Sequence, residues 1–225
     1  MKFNHVTQSK ILEDISAVTT DNGRYYLSPT GKHLPSVTTV TGWKKSKFFA
    51  KWRRDNPKEA KRVTVRGNEF HSLIETYLYN NLNLCDEHVD IDKDLLVLFN
   101  QLKPELDKID NIRGLETGLW SDTVGLAGRA DCVAEYDGKL SIIDFKGSTR
   151  TKRARDIENY YLQATAYALM WQDRYGEEIP YFNILISCED GKSQVFGGRT
   201  MDYTKKLYET IREYHEEHTN LFSQF

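Results

Sequence analysis

The sequence has little cysteine. Three of its 225 residues are cysteines, Cys85, Cys132 and Cys188, and they are isolated from one another. They form no CxxC pair, which excludes the usual cysteine-rich zinc sites, and they suggest no disulfide framework. We therefore expect a reduced, intracellular protein.

Long apolar runs are also missing, and none approaches the ~18 residues that a membrane span needs. Residues 1–6 lack the apolar stretch of a signal peptide, and Glu13 and Asp14 are unlike a mitochondrial presequence. We expect a cytoplasmic protein, or one of the host-cell cytoplasm if the source is viral, with no membrane partner.

Repeats, low-complexity tracts and Pro/Gly/Ser linkers are absent, so we expect a single domain over residues 1–225. It would have a mainly helical part (1–110), a sheet-containing core (111–200) and a C-terminal helix (201–225). There is no phosphate-cradling glycine loop, dinucleotide fingerprint or nucleophile elbow, which argues against a metabolic enzyme with a small-molecule cofactor.

The apolar patterning predicts an α/β domain with a mixed central β-sheet flanked by helices. A hairpin is predicted at residues 24–31, and Ser36 as the N-cap of a helix. Further helices are predicted at 48–54, 68–82, 91–109, 157–175 and 201–222. Strands are predicted at 115–120, 124–136, 140–145, 181–187 and 194–198. Asp137-Gly138 is a strong signal for a tight hairpin between two of these strands.

Charge is distributed unevenly although the formal net charge is only −2. Residues 44–66 carry ten Lys and Arg against two acids, and residues 146–155 carry five basic residues and no acid. Such clusters can neutralise the phosphates of a nucleic acid. They can equally be the solvated face of a helix.

The predicted hairpin brings two carboxylates together. Pairing outward from the Asp137-Gly138 turn puts Asp131 opposite Asp144, roughly 5 Å apart at Cβ. The period of two along a strand places Asp144 and Lys146 on one face and Phe145 on the other.

Two negative charges at this distance repel each other, and a bound cation would remove the repulsion. Oxygen ligands with open positions suit Mg²⁺ or Mn²⁺, which can activate a water molecule against a phosphodiester. Lys146 would orient that water or stabilise the developing charge. Taken alone, the spacing favours a surface hairpin with a cross-strand acid pair, in which the lysine forms a salt bridge.

Other residues extend this arrangement. Glu116 lies on the preceding strand, and His71 shares one helix face with Glu75. Gln163 and Tyr167 have the same four-residue spacing on the helix that follows Lys146. Residues 147–153 leave the strand as a small, basic loop.

In this order, the motifs resemble those of the RecB-like branch of the PD-(D/E)xK nucleases, and within it the mitochondrial genome maintenance exonucleases with their phage and bacterial relatives. The residues that carry the resemblance are His71, Glu116, Asp131, Asp144-x-Lys146 and Gln163-x3-Tyr167. It covers roughly residues 35–170 and implies a restriction-endonuclease-like core. Ala130 stands where the proline of the family's name would be.

The resemblance implies one or two Mg²⁺ or Mn²⁺ ions, held by His71, Glu116, Asp131, Asp144 and the backbone carbonyl of Phe145. By the same resemblance, Lys146 is the catalytic lysine, and the carboxylates of Glu116, Asp131 and Asp144 act in catalysis. Gln163 and Tyr167 would position the DNA or the metal-site loop. Several relatives carry a four-cysteine iron–sulfur cluster, which three scattered cysteines cannot build here.

The basic stretch at 44–66 also contains Trp43, Phe48, Phe49 and Trp52, a mixture that suits single-stranded nucleic acid. Alternatively, these rings form the core side of a basic helix. We expect nucleic acid to be bound by Lys51, Trp52, Arg53, Ser148, Arg150, Lys152 and Arg153.

The sequence thus predicts a metal-dependent exonuclease that acts on DNA, in particular on single-stranded ends, with a possible replication or recombination protein as partner. The alternative is a catalytically weak or partner-dependent nucleic-acid-binding protein of the same fold.

Overall fold

The computed structural model describes residues 2–8, 14–20, 23–82 and 91–222, and the side chains up to residue 218. Cys85 lies outside the described residues. Within them, no helix combines the length and the apolar character that crossing a membrane requires.

The N-terminal part contains a small three-stranded antiparallel sheet and three helices. Their bounds are β1 (Ala17–Thr20), β2 (Gly23–Leu27), β3 (His33–Pro35), α1 (Val37–Asp55), α2 (Pro57–Leu78) and α3 (Lys93–Leu106). The hairpin predicted at residues 24–31 is confirmed as β2 and β3, which pair in register from Tyr25↔Pro35 to Leu27↔His33.

The remaining elements form the core around a five-stranded sheet. They are β4 (Ile109–Ser121), β5 (Leu126–Tyr136), β6 (Lys139–Ser148), a short 3-10 helix (Ala154–Asp156), α4 (Glu158–Tyr175), β7 (Tyr181–Cys188), β8 (Lys192–Arg199) and α5 (Thr200–Phe222).

The five strands lie in the order β4-β5-β6-β7-β8. All neighbours are antiparallel except β6 and β7, which run parallel because the chain crosses over through α4. The predicted α/β class with a mixed sheet flanked by helices is therefore confirmed.

Two apolar clusters hold helices against opposite faces of this sheet. One contains Trp171 of α4 and Tyr214 of α5, together with Val37 of α1. The other contains Phe70 of α2 and Phe99 of α3. Since the sheet is covered on both faces, its central strands are buried along most of their length.

The helix starts were predicted to within about two residues, with one exception. Ser36 is the N-cap of α1, as predicted, and its hydroxyl accepts a hydrogen bond from the backbone N–H of Thr39. The prediction for α2 was wrong by eleven residues, because the helix begins at Pro57 rather than at Asn68. No residue of α2 before Arg66 is buried, so that half carries no apolar repeat for periodicity to detect.

The outer edge of β4 is covered by the N-terminal segment. The backbone N–H of Val6 donates to the carbonyl of Ile112 at 2.7 Å, and the N–H of Ile112 donates to the carbonyl of Asn4 at 2.8 Å. A helix was predicted to reach residue 109, but α3 ends at Leu106. The strand predicted from residue 115 begins earlier, at Ile109, with an irregular register between Asp110 and Gly114.

Phe99 and Val97 provide a matched test of the packing of α3. Phe99 is fully buried, whereas Val97 is 55% exposed on the same helix. We expect Phe99→Ala to lower the free energy of unfolding by about 3–5 kcal/mol, because it leaves a cavity in the core. Val97→Ala should change it by less than about 0.5 kcal/mol. Urea denaturation measures both, and equal losses would contradict this packing.

Candidate active site

Three carboxylates lie in one row across neighbouring strands. The register of β5 against β6 runs from Tyr136↔Lys139 to Cys132↔Ile143, so that Asp131 comes next beside Asp144. On the other side of β5, the pairs Leu115↔Cys132 and Thr117↔Ala130 flank Glu116 and Asp131. Glu116, Asp131 and Asp144 therefore stand side by side on β4, β5 and β6. For the two aspartates this is the pairing predicted by counting outward from the Asp137-Gly138 turn.

Asp144 is the most buried member of this row, with a side chain 2% exposed. Lys146 donates from Nζ to Asp144 Oδ1 at 2.6 Å, while Asp144 Oδ2 is buried and has no hydrogen-bond partner among the described residues. Burial raises the pKa of Asp144 to about 6, with the Lys146 ammonium opposing this rise and the Asp131 charge adding to it. A buried carboxylate oxygen without a donor is costly, and a cation would satisfy it.

His71 of α2 joins the row from the side. Its Nδ1 lies 3.7 Å from Glu116 Oε1 and 3.6 Å from Asp131 Oδ2. Burial acts to lower the pKa of His71, but the two carboxylates outweigh burial and the pKa is raised. Asp131 also accepts a hydrogen bond from the Phe145 N–H at 2.9 Å.

One ligand atom from each of His71, Glu116 and Asp131 lies within 4.8 Å of the other two. Asp144 is not in this group of mutually close ligand atoms, although it adjoins Asp131 in the row. This donor set fits a divalent cation. It consists of an imidazole nitrogen, carboxylate oxygens and the neighbouring Asp144 oxygen that no described residue satisfies.

Glu116 has a left-handed backbone, with φ at 45°. For a residue other than glycine this conformation costs about 1–2 kcal/mol. The surroundings hold it in place, because the Arg129 guanidinium donates to the Glu116 carbonyl and is itself held by Asp14 at 2.7 and 2.9 Å. A conformation kept at this cost is a common property of functional sites.

Gln163 and Tyr167 lie on α4 and reach the same pocket, as the family resemblance implied. Both are buried, at 6% and 3% exposed. Burial raises the pKa of Tyr167 well above its ordinary value, and the charges of Asp131 and Asp144 add to the effect, so the phenol is neutral. Tyr167 can approach β5 because residue 128 is glycine: a Cβ there would lie 3.0 Å from Tyr167 Cε1.

The pocket around these residues has a volume of about 780 Å³. Sequence reasoning missed two cations in its lining, Arg24 and Arg129, and left Glu75 without a role. The period of two could have placed Arg129 on the face of Asp131. Arg24 comes from the N-terminal sheet, and no local signal predicts where that sheet packs.

The residues expected to bind nucleic acid fall into two groups. Arg150, Lys152 and Arg153 line a second cavity beside the active site. Ser148 is buried and donates its hydroxyl hydrogen to the Arg150 carbonyl at 2.6 Å. Lys51, Trp52 and Arg53 lie on α1 and line neither of these two pockets.

The two phenylalanines of α1 do not face the core. Phe48 is 67% and Phe49 is 46% exposed. For them, the alternative interpretation as the core side of a basic helix is wrong. Trp43, in contrast, packs against the apolar cluster of α4 and α5, and Trp52 is half-buried.

The sequence profile described as the PD-(D/E)XK nuclease superfamily matches residues 45–222, which is most of the chain. The chain belongs to the PD-(D/E)XK nuclease superfamily. The row of carboxylates with Lys146 lies inside the matched region, and the resemblance seen in the sequence motifs is confirmed.

Curated relatives include mitochondrial genome maintenance exonuclease 1 of mouse and of human. Each is 28% identical to this chain, in alignments of 178 and 174 residues, and 70% of this chain is covered in both cases. The alignments cover 51% of the mouse and 50% of the human protein, so the chain spans about half the length of these relatives.

A solved structure is also similar, that of a candidate exonuclease from Eubacterium rectale, with a TM-score of 0.43 and 11% identity. The match covers 66% of this chain and 65% of the other.

Gly128 offers a test of how Tyr167 is placed. We expect Gly128→Ala to lower the free energy of unfolding by about 1–3 kcal/mol, because the new methyl group would lie 3.0 Å from the buried ring of Tyr167 and 3.4 Å from Val37. Gly42→Ala is the matched control, since a Cβ at that helical position meets nothing within 4 Å. Urea denaturation compares the two, and a Gly128 variant as stable as the Gly42 variant would argue against the contact.

Proposed function

We propose that this chain is a metal-dependent DNA exonuclease that hydrolyses phosphodiester bonds at single-stranded ends. The observation that carries the proposal is the row of Glu116, Asp131 and Asp144, with His71 beside it. One buried oxygen of Asp144 has no donor within the part of the chain that the structure describes. Membership of a nuclease superfamily supports hydrolysis, and relatives named exonucleases support action at an end.

The metal would be held by His71, Glu116, Asp131, Asp144 and the backbone carbonyl of Phe145. A bound Mg²⁺ or Mn²⁺ supplies Lewis acidity toward a phosphoryl oxygen and lowers the pKa of water. The protein contributes a fixed position for each ligand. Asp131 is held by the Phe145 N–H, and the conformation of Glu116 is held by Arg129.

Lys146 acts as a cation in this proposal. Burial alone would lower the pKa of Lys146, but the charges of Asp144 and Asp131 outweigh burial and raise the pKa. The side chain is therefore an ammonium group, which can donate to a phosphate oxygen and stabilise charge that develops during hydrolysis. Gln163 and Tyr167 are neutral groups in the lining of the same pocket and would position the substrate.

A single-stranded substrate is supported by the surface next to the site. Phe49 is 46% exposed on a helix rich in lysine and arginine, next to the basic loop that follows β6. Exposed rings among cations suit a strand whose bases are free to stack.

The proposal is tested with end-labelled single-stranded DNA, the same sequence as a circle, and duplex DNA. With Mg²⁺ or Mn²⁺, we expect the linear single strand to be shortened and the circle to be spared. Ca²⁺ should support binding without hydrolysis, because it tolerates looser geometry, and EDTA should stop cleavage.

Asp144→Asn is the control, with its fold checked by circular dichroism. Cleavage of circles would indicate an endonuclease. Intact binding without any cleavage would favour the catalytically weak or partner-dependent alternative.

Lys146→Met separates catalysis from binding, because it keeps the length of the side chain and removes its charge. We expect the cleavage rate to fall by about 10²–10³-fold, as for other groups that stabilise developing charge. The affinity for single-stranded DNA in Ca²⁺ should change far less. A variant that cleaves at nearly the wild-type rate would remove Lys146 from the catalytic site.

A further inference from the structure

A second cavity of about 700 Å³ lies between α1 and the loop that follows β6. This size is within the roughly 300–1,000 Å³ typical of small-molecule pockets. The lining residues that matter here are Lys45 and Phe49 of α1, Arg150 and Lys152 of the loop, and Asn159 and Tyr160 of α4.

This cavity adjoins the active site through Tyr160. The Nζ atom of Lys146 lies 5.3 Å from the centroid of the Tyr160 ring. Lys146 lines the active-site pocket and Tyr160 lines the second cavity. If the scissile phosphate of a DNA strand lies at Lys146, the next nucleotides of that DNA strand are therefore within reach of this cavity.

Two of the cations at the cavity are free to bind an anion. Lys45 is occupied, since it donates to the Asp156 carbonyl at 2.8 Å and to Asn159 Oδ1 at 3.2 Å. Arg153 is paired with the Asp156 carboxylate at 2.9 Å. The side chains of Arg150 and Lys152, however, form no ion pair with any residue that the structure describes.

Phe49 gives the same cavity an aromatic wall. Its ring is 46% exposed and meets Phe48 edge to face, with the ring centroids 5.4 Å apart. A large apolar ring exposed among cations is poorly placed for stability in water. It is well placed to stack on a nucleobase whose phosphate is bound nearby.

The loop is fixed before any ligand arrives. Gln194 of β8 accepts the Lys152 N–H at 2.7 Å and donates to the Lys152 carbonyl at 3.0 Å. The Thr151 N–H donates to Asp190 at 3.0 Å. Because the fold already orders this loop, binding would not carry the full entropy cost of ordering it.

We propose that this cavity is a nucleotide subsite for the single-stranded substrate, in which one base stacks on Phe49 and its phosphate is bound by Arg150 and Lys152. This inference rests on the proposed function, because it places a further nucleotide of the same strand beside the scissile bond.

The test measures binding of a fluorescein-labelled oligothymidylate by anisotropy in Ca²⁺, with gels to confirm that the DNA stays intact. We expect Phe49→Ala to weaken binding by roughly tenfold, as loss of one stacked base does. Phe48→Ala removes an identical ring that does not line the cavity. We expect it to weaken binding at least threefold less than Phe49→Ala does.

Abasic positions then identify the base that stacks. Moving one abasic nucleotide along the oligonucleotide should weaken wild-type binding strongly at one or two adjacent positions. With an abasic nucleotide at those positions, Phe49→Ala should lose almost no further affinity, because the base that stacks on the ring is already absent. Equal losses for Phe48→Ala and Phe49→Ala, or additive losses at every abasic position, would overturn the proposal.

The phosphate contacts are tested by the salt dependence of binding. Arg150→Gln and Lys152→Gln should each reduce the slope of log K against log[salt] by about 0.7, the value for one phosphate of a single strand. Lys205→Gln on α5 is the control and should leave the slope unchanged. An unchanged slope in both loop variants would remove the phosphate site.

These measurements do not depend on turnover. Binding as described without any cleavage would support the subsite and contradict the exonuclease proposal. Normal cleavage by a variant without Phe49 and the two cations would support the exonuclease proposal and contradict the subsite.

Discussion

The register of β5 against β6 is the constraint on which the site depends. Asp137 and Gly138 both have a left-handed backbone, with φ at 50° and 72°, which is the geometry of the tightest hairpin turns. The turn pairs Tyr136 with Lys139, and each step outward is then fixed as far as Asp131 beside Asp144. Slippage by one residue would turn one of these carboxylates to the other face of the sheet.

This arrangement opposes stability in several ways. Three carboxylates stand in one row, one of them almost fully buried, and Glu116 has an unfavourable backbone conformation. The nearby cations, Lys146 and Arg129, compensate only in part, since no described residue donates to the second oxygen of Asp144. A fold that keeps such a cluster is better explained by what the cluster binds than by its contribution to folding.

The sequence predicted the parts of the site that follow from local rules. The turn and the period of two placed Asp131, Asp144 and Lys146 correctly relative to the sheet. The four-residue spacing placed Gln163 and Tyr167 on one face of α4. The first half of α2 was missed because it is exposed and lacks an apolar repeat. The contribution of Arg24 and the exposure of Phe49 could not be predicted, because both depend on how distant elements pack.

The N-terminal segment has a consequence for how the molecule behaves among copies of itself. Its backbone hydrogen bonds with Ile112 occupy the outside of β4, the strand that also carries Glu116. An unoccupied edge strand is a template on which another chain can add its own strand and start aggregation. Here the ladder positions around Ile112 are already taken, which blocks such growth at the side of the sheet nearest the carboxylate row.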